Sequence, residues 1–180
     1  MSDQQIGEKE IERMHLQYFM DAYKDVTGLS FTDDFASESP DFICKRSDGN
    51  IVGIELVWIM GNYELVQFEK IVNPSYETKP FETLENIYIM LKEKDEKRAR
   101  GYGDLSDKTI LVMELHQCSL FSLNSVLTSD IKGDFSDFGF FEIWLADFTE
   151  IEAYGDVELF GLYPDQRWGY HRRIPKKPFG

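Results

Sequence analysis

Pro40-Asp41-Phe42-Ile43-Cys44-Lys45-Arg46-Ser47-Asp48-Gly49-Asn50-Ile51-Val52-Gly53-Ile54-Glu55-Leu56-Val57 is the stretch around which the rest of the chain is organised. Two β-rich runs flank the polar Ser47-Asp48-Gly49-Asn50, and a glycine late in a short polar loop signals a hairpin whose turn closes on a left-handed residue. Side chains alternate along a strand, so Asp41, Ile43 and Lys45 share a face of the first strand, while Glu55, Val57 and Ile59 share a face of the second. With a three-residue loop, Ser47-Asp48-Gly49, Arg46 pairs with Asn50 and Asp41 lands opposite Glu55. A four-residue loop places Phe42 there instead. Two acids side by side repel unless a cation sits between them, and hard oxygen ligands at this separation suit Mg²⁺ or Mn²⁺.

Around the hairpin the periods are those of an α/β protein. From Gln5 to about Val26, Ile11, Met14, Tyr18, Phe19 and Ala22 recur at helical spacing with acids and amides opposite, which predicts a first helix. Gly28 to Pro40 is polar and acidic and reads as a loop or a short strand leading into the hairpin. The second hairpin strand runs to Trp58 or Ile59, and Gly61-Asn62 ends it. The segment from there to Pro80 has no sustained period and reads as an irregular excursion, placed to act as a flap.

From Pro80 to about Arg100, Leu84, Ile87, Leu91, Lys94 and Arg98 follow one stripe, with Gly101 and Gly103 closing the helix. Thr109-Ile110-Leu111-Val112-Met113 is a continuous apolar run between polar residues, as in a central strand buried on both faces. Ser119 to Asp130 is a short helix or loop, Phe140 to Phe148 a further buried strand, and Val157 to Tyr163 a last, edge strand. Cys44 and Cys118 form no CxxC pair and there is no histidine spacing for zinc, so both read as buried thiols. His15, His116 and His171 are scattered along the chain and read as packing or surface residues.

Pro40-Asp41, a strand-turn-strand and then Glu55-Leu56-Val57 resemble the PD-(D/E)xK nuclease superfamily, whose core sets Asp on one strand of a hairpin and Glu-x-Lys on the next. The resemblance spans roughly residues 8 to 115. It implies a restriction-endonuclease-like αβββαβ core with a mixed central sheet flanked by helices, one strand of which falls between the first helix and Pro40. It also implies Mg²⁺- or Mn²⁺-dependent hydrolysis of phosphodiesters, or descent from an enzyme that performs it. Asp41, Glu55 and the Leu56 carbonyl would then hold the metal, with a glutamate of the first helix completing the shell. Glu8, Glu10 and Glu12 are available; Glu12 shares the face of Phe19, and Glu8 aligns with Ile11 and His15.

Where the family has its lysine, this chain has Val57. In relatives without the strand lysine, a lysine of the following helix can enter the same site. Lys94 on the sheet-facing stripe, or Lys97 one turn on, is the substitute that the resemblance points to. The competing reading of Lys92-Glu93-Lys94-Asp95-Glu96-Lys97 is a solvated helix end laced by local ion pairs.

With 180 residues, 42% of them hydrophobic, the chain is read as one domain, residues 1–180, ending in a basic aromatic tail over 167–180. No run approaches the length of a membrane span and the N-terminus is polar, which predicts a cytoplasmic protein without membrane partners. A formal net charge of −14 opposes nucleic-acid binding, because phosphate contacts need Lys and Arg. The tail is the exception: Arg167, Arg172, Arg173, Lys176 and Lys177 alternate with Trp168, Tyr170 and His171 and no acid. Such a tail either touches phosphate and stacks on bases or folds back onto the body's own carboxylates. The acidity also supports a second function class, a non-enzymatic inhibitor, immunity-type or decoy protein whose negative surface occupies a basic protein partner.

Overall fold

Gly49 closes the hairpin at φ +91°, a conformation open to glycine because it has no Cβ. Its amide donates to the Arg46 carbonyl at 2.8 Å and the Arg46 amide donates to the Asn50 carbonyl at 2.8 Å, so the loop is the three-residue one. The strands on either side, β2 (Phe42–Arg46) and β3 (Ile51–Ile59), pair antiparallel from Phe42↔Ile54 to Lys45↔Ile51. The same register carried back one residue sets Asp41 opposite Glu55. Gly53 is what lets the chain enter there: a Cβ at that position would lie 2.4 Å from Pro40 Cγ, so any larger residue would displace Pro40 and, with it, Asp41.

In this computed structural model, which describes residues 3–61, 71–73 and 77–174, the hairpin is the start of a seven-stranded mixed sheet. The order along the chain is α1 (Asp3–Thr27), β1 (Phe31–Ala36), β2, β3, α2 (Pro80–Gly101), β4 (Thr109–Leu115), α3 (Leu120–Leu123), β5 (Glu142–Asp147), α4 (Ile151–Tyr154), β6 (Glu158–Tyr163) and β7 (Gly169–His171). The strands lie side by side in chain order; β3–β4 and β4–β5 are parallel and the remaining neighbours antiparallel. β1 supplies the strand expected between the first helix and Pro40, and α1 through β4 follow the order αβββαβ.

Every residue of β4 and of β5 is buried, as parallel strands covered on both faces require. One layer of core joins Val57, Ile59, Leu111, Met113 and Leu115 to Ile87 and Leu91 of α2. The opposite layer joins Ile54, Leu56, Ile110, Val112 and Trp144 to Leu16, Phe19 and Tyr23 of α1. This second layer corrects the expected face of the first helix: Ile11 and Met14 are about half exposed, and the buried row is Leu16, Phe19 and Tyr23. The helix has apolar residues on more than one side, and contact with the sheet selects the aromatic row. Cys44 and Cys118 are buried thiols, as expected.

One further expectation changes. β6 is an interior strand, because β7 pairs with it through Leu159↔His171 and Phe160↔Tyr170 and takes the edge. The stretch after Ser119 forms the single turn α3, and a 3₁₀ segment follows over Ser129–Asp137. Most of the excursion between Gly61 and Pro80 lies outside the described residues, and so does the suggested flap.

The basic tail folds back as far as it is described. Arg173 pairs with Asp156 and lies 3.8 Å from Glu158, Tyr170 Oη donates to Glu158 at 2.8 Å, and the Arg172 guanidinium sits over the Tyr170 and Phe121 rings. Lys176 and Lys177 lie outside the described residues. Among the described residues no helix is long and apolar enough to cross a membrane.

A buried polar knot ties the hairpin tip to β5 and α1. Arg46 Nη1 donates to Glu142 at 2.9 Å and to Tyr23 Oη at 3.0 Å, while Tyr23 Oη and Trp144 Nε1 also donate to the Glu142 carboxylate.

Candidate functional site

Asp41 and Glu55 meet across the mouth of the hairpin, each carboxylate accepting from the backbone of the opposite strand. The Asp41 amide donates to Glu55 Oε2 at 3.2 Å and the Leu56 amide donates to Asp41 Oδ2 at 2.9 Å. Glu55 is wholly buried and Asp41 half-buried. Leu56 thus enters the site through its amide, beside the carbonyl expected to serve as a ligand.

Helix α2 brings two lysines to the same oxygen. Ile87 and Leu91 anchor its buried stripe; Lys94 and Lys97 follow at three-residue steps on the neighbouring turns. Lys94 Nζ reaches Glu55 Oε1 at 2.8 Å and Lys97 Nζ reaches it at 3.1 Å. The Lys94 side chain is 20% exposed and that of Lys97 45%, so Lys94 is the more desolvated of the two. The local lacing also exists but uses other residues, Arg98–Asp95 and Arg100–Glu96.

On α1, Glu12 is the glutamate whose charge acts on Asp41, and Lys9 Nζ holds Glu12 at 2.8 Å. Lys9 is raised above the usual lysine range by that hydrogen bond, then by the charges of Glu12, Asp41 and Glu55 against the opposing effect of burial. Lys9 and the buried Tyr102, whose hydroxyl is pushed upward by burial and by the charge of Glu55, are site residues that the linear reading passed over. For Lys9 the signal was present as an i, i+3 pair with Glu12. Tyr102, just past the end of α2, carried no periodic signal.

The two carboxyls titrate apart. Burial first, then the charge of Glu55, pushes Asp41 up to about 6 against the Leu56 amide and Lys94. Burial would raise Glu55 as well, but Lys94 and then Lys97 outweigh it and hold Glu55 below the ordinary glutamate range. The site thus pairs a Glu55 carboxylate clasped by two ammonium groups with an aspartate that gives up its proton well above the ordinary carboxyl range.

Compared with known proteins, the chain matches no family model, no curated protein and no solved structure. The chemistry of the site therefore rests on its own geometry: facing carboxyls of Asp41 and Glu55, with the Lys94 and Lys97 ammonium groups on Glu55.

The raised Asp41 has a stability consequence of definite sign. Its folded pKa lies above the unfolded value of 3.8, so the folded state binds the extra proton and stability falls as pH rises from about 4 to about 6. Asp41→Asn removes the charge that faces Glu55. It is expected to be neutral below pH ~4 and to stabilise the metal-free protein by on the order of 2 kcal/mol above pH ~6.5. Melting temperatures of both proteins across this range check the claim; a variant that is destabilised at pH 7 and neutral at pH 4 would refute it.

Proposed function

We propose that this chain is a Mg²⁺- or Mn²⁺-dependent phosphodiesterase of the PD-(D/E)xK, restriction-endonuclease-like kind, acting on nucleic acid. The observation that carries the reading is the convergence of Lys94 and Lys97 on Glu55, beside Asp41 on the facing strand. Ammonium groups from α2 stand next to the acidic pair that the family completes with a strand lysine. Val57, in that strand position, is packed into the apolar layer under α2.

Asp41 and Glu55, across the hairpin from each other, would supply hard oxygens to a divalent cation, with Glu12 near enough for its charge to act on Asp41. When bound, the ion lowers the pKa of a coordinated water and offsets the charge that grows on the phosphoryl oxygens. Asp41 must lose its proton for this role, so metal affinity is expected to rise with pH through about 6. Lys94, desolvated and anchored on Glu55, orients the attacking water or stabilises the charge developing on phosphorus. Lys97, half exposed, and Lys9 add local positive charge on a body of net charge −14 and favour the approach of phosphate where the overall field opposes it.

The test is cleavage of single-stranded and duplex DNA and RNA with Mg²⁺ or Mn²⁺, run beside Glu55→Gln. Cleavage by the parent and its loss in the variant is the expected result. If the parent cleaves none of these and neither ion raises its melting temperature, the metal-dependent reading fails and the acidic binding protein is what remains.

A further inference from the structure

We propose that His15, Glu114 and His116 form a second metal site, for a first-row transition ion of the Zn²⁺ type, on the face of the sheet opposite Asp41 and Glu55. The faces follow from strand alternation. Glu55 has the phase of Val57 and Ile59, which pack toward α2, whereas Glu114 has the phase of Ile110 and Val112, which pack toward α1. α1 then lays His15 over the end of β4, and the chain leaving β4 turns His116 to the same place.

One ligand atom of each residue lies within 4.8 Å of the other two. Glu114 Oε1 touches His15 Nδ1 and stands 3.5 Å from His116 Nε2. Glu114 is 1% and His15 8% exposed. Glu114 Oε1 and His116 Nε2 are buried, and among the described residues the close partners they have are one another and His15. Buried polar atoms without well-placed partners are costly, and a cation shared among the three groups satisfies them.

The rings are held ready for this. His116 stacks on Trp58 with centroids 4.0 Å apart, and Phe148 lies 4.5 Å from the His15 ring and 5.1 Å from the His116 ring. In tetrahedral zinc sites with bonds of ~2.0–2.1 Å, neighbouring ligand atoms are separated by about 3.4 Å, so the Glu114–His116 edge already has the right length. The His15–Glu114 edge is shorter than this and has to open for the ion.

Two imidazoles with one carboxylate favour Zn²⁺, Ni²⁺, Cu²⁺ or Fe²⁺ over Mg²⁺. Three protein ligands leave a fourth position for water or an exogenous ligand. His116 lines a surface groove of about 630 Å³ with Phe148, Thr149, Glu150 and Tyr154, which gives the ion a path from solvent.

The experiment uses the full chain without a histidine tag, stripped by a chelator and titrated with Zn²⁺ calorimetrically and with Co²⁺ by visible absorption. One four-coordinate ion per chain, marked by the intense d–d bands of Co²⁺, is expected, beside any weaker ion that the proposed Asp41–Glu55 site takes up without those bands. His116→Ala and the near-isosteric Glu114→Gln should each weaken binding beyond the ~10–100-fold that loss of an outer-shell partner costs, while Asp41→Asn leaves it unchanged. Far-UV circular dichroism confirms that each variant is folded, and Glu114→Gln carries the test if His116→Ala is not. Absence of a Co²⁺ band in the parent, equal binding by the folded variants, or loss of binding in Asp41→Asn would each overturn the proposal.

Discussion

In the phosphodiesterase proposed above, Lys94→Ala is expected to slow metal-dependent cleavage by about 10²–10³-fold, the usual cost of removing one preorganised donor from a transition state. The same change should leave Mg²⁺ affinity equal or slightly higher. Lys94 contacts Glu55 Oε1 at 2.8 Å, where it competes with a cation for the carboxylate, and Lys97 at 3.1 Å still pairs the buried charge after Lys94 is gone. A loss in turnover without a loss in metal binding is therefore the signature of a lysine that acts on water or phosphate. Lys97→Ala should cost less, because its ammonium is more solvated. The reverse order, a silent Lys94→Ala and an inactive Lys97→Ala in an active parent, would move the role one turn along α2. Val57→Lys, which would rebuild the family's Glu-x-Lys, shares the face of Glu55 but lands in the α2-side core, where Val57 is only 8% exposed. Any rescue it gives to Lys94→Ala must overcome the desolvation of a second ammonium there.

Arg46→Met is expected to destabilise the fold by about 3–5 kcal/mol, the range for removing one partner of a buried ion pair. The Arg46 and Glu142 side chains are 7% and 5% exposed. Methionine fills the stem of the arginine but leaves the buried Glu142 carboxyl with only the neutral donors Tyr23 and Trp144. For a chain of this size the change corresponds to a fall of roughly 6–20 °C in melting temperature. The second half of the test is the double variant Arg46→Met/Glu142→Gln, which should recover part of the loss, since the penalty is that of an unpaired buried charge. The contact of Arg46 with Asp48 at the turn is partly solvated and contributes less. A single variant that melts within about 2 °C of the parent, equivalent to less than ~1 kcal/mol, would show that solvent already reaches the knot.

The amino-acid sequence by itself determined the hairpin, because turn chemistry and strand alternation are local, but it allowed a loop of three or four residues; the observed backbone closes the three-residue loop and so pairs Asp41 with Glu55, where a one-residue slip would reverse every side chain. It also determined the two buried parallel strands and the lysine-bearing stripe of α2, which rest on continuous or periodic apolar runs. Tertiary contact decided the rest. Both lysines were candidates for the site, and only the packing of α2 on β3 shows that both reach one oxygen of Glu55. The choice of Glu12, the recruitment of Lys9 and Tyr102, and the rotation of α1 onto Leu16, Phe19 and Tyr23 depend on how helices lie on the sheet, which no single period encodes. The gathering of His15 with Glu114 and His116 is the clearest case. His15 is about a hundred positions from Glu114 and His116, no spacing rule links it to them, and they meet because a helix crosses the end of a strand. β7 follows the same logic: its basic and aromatic residues are compatible with solvent or phosphate, and the acids Asp156 and Glu158 on and before β6 decide that they fold back.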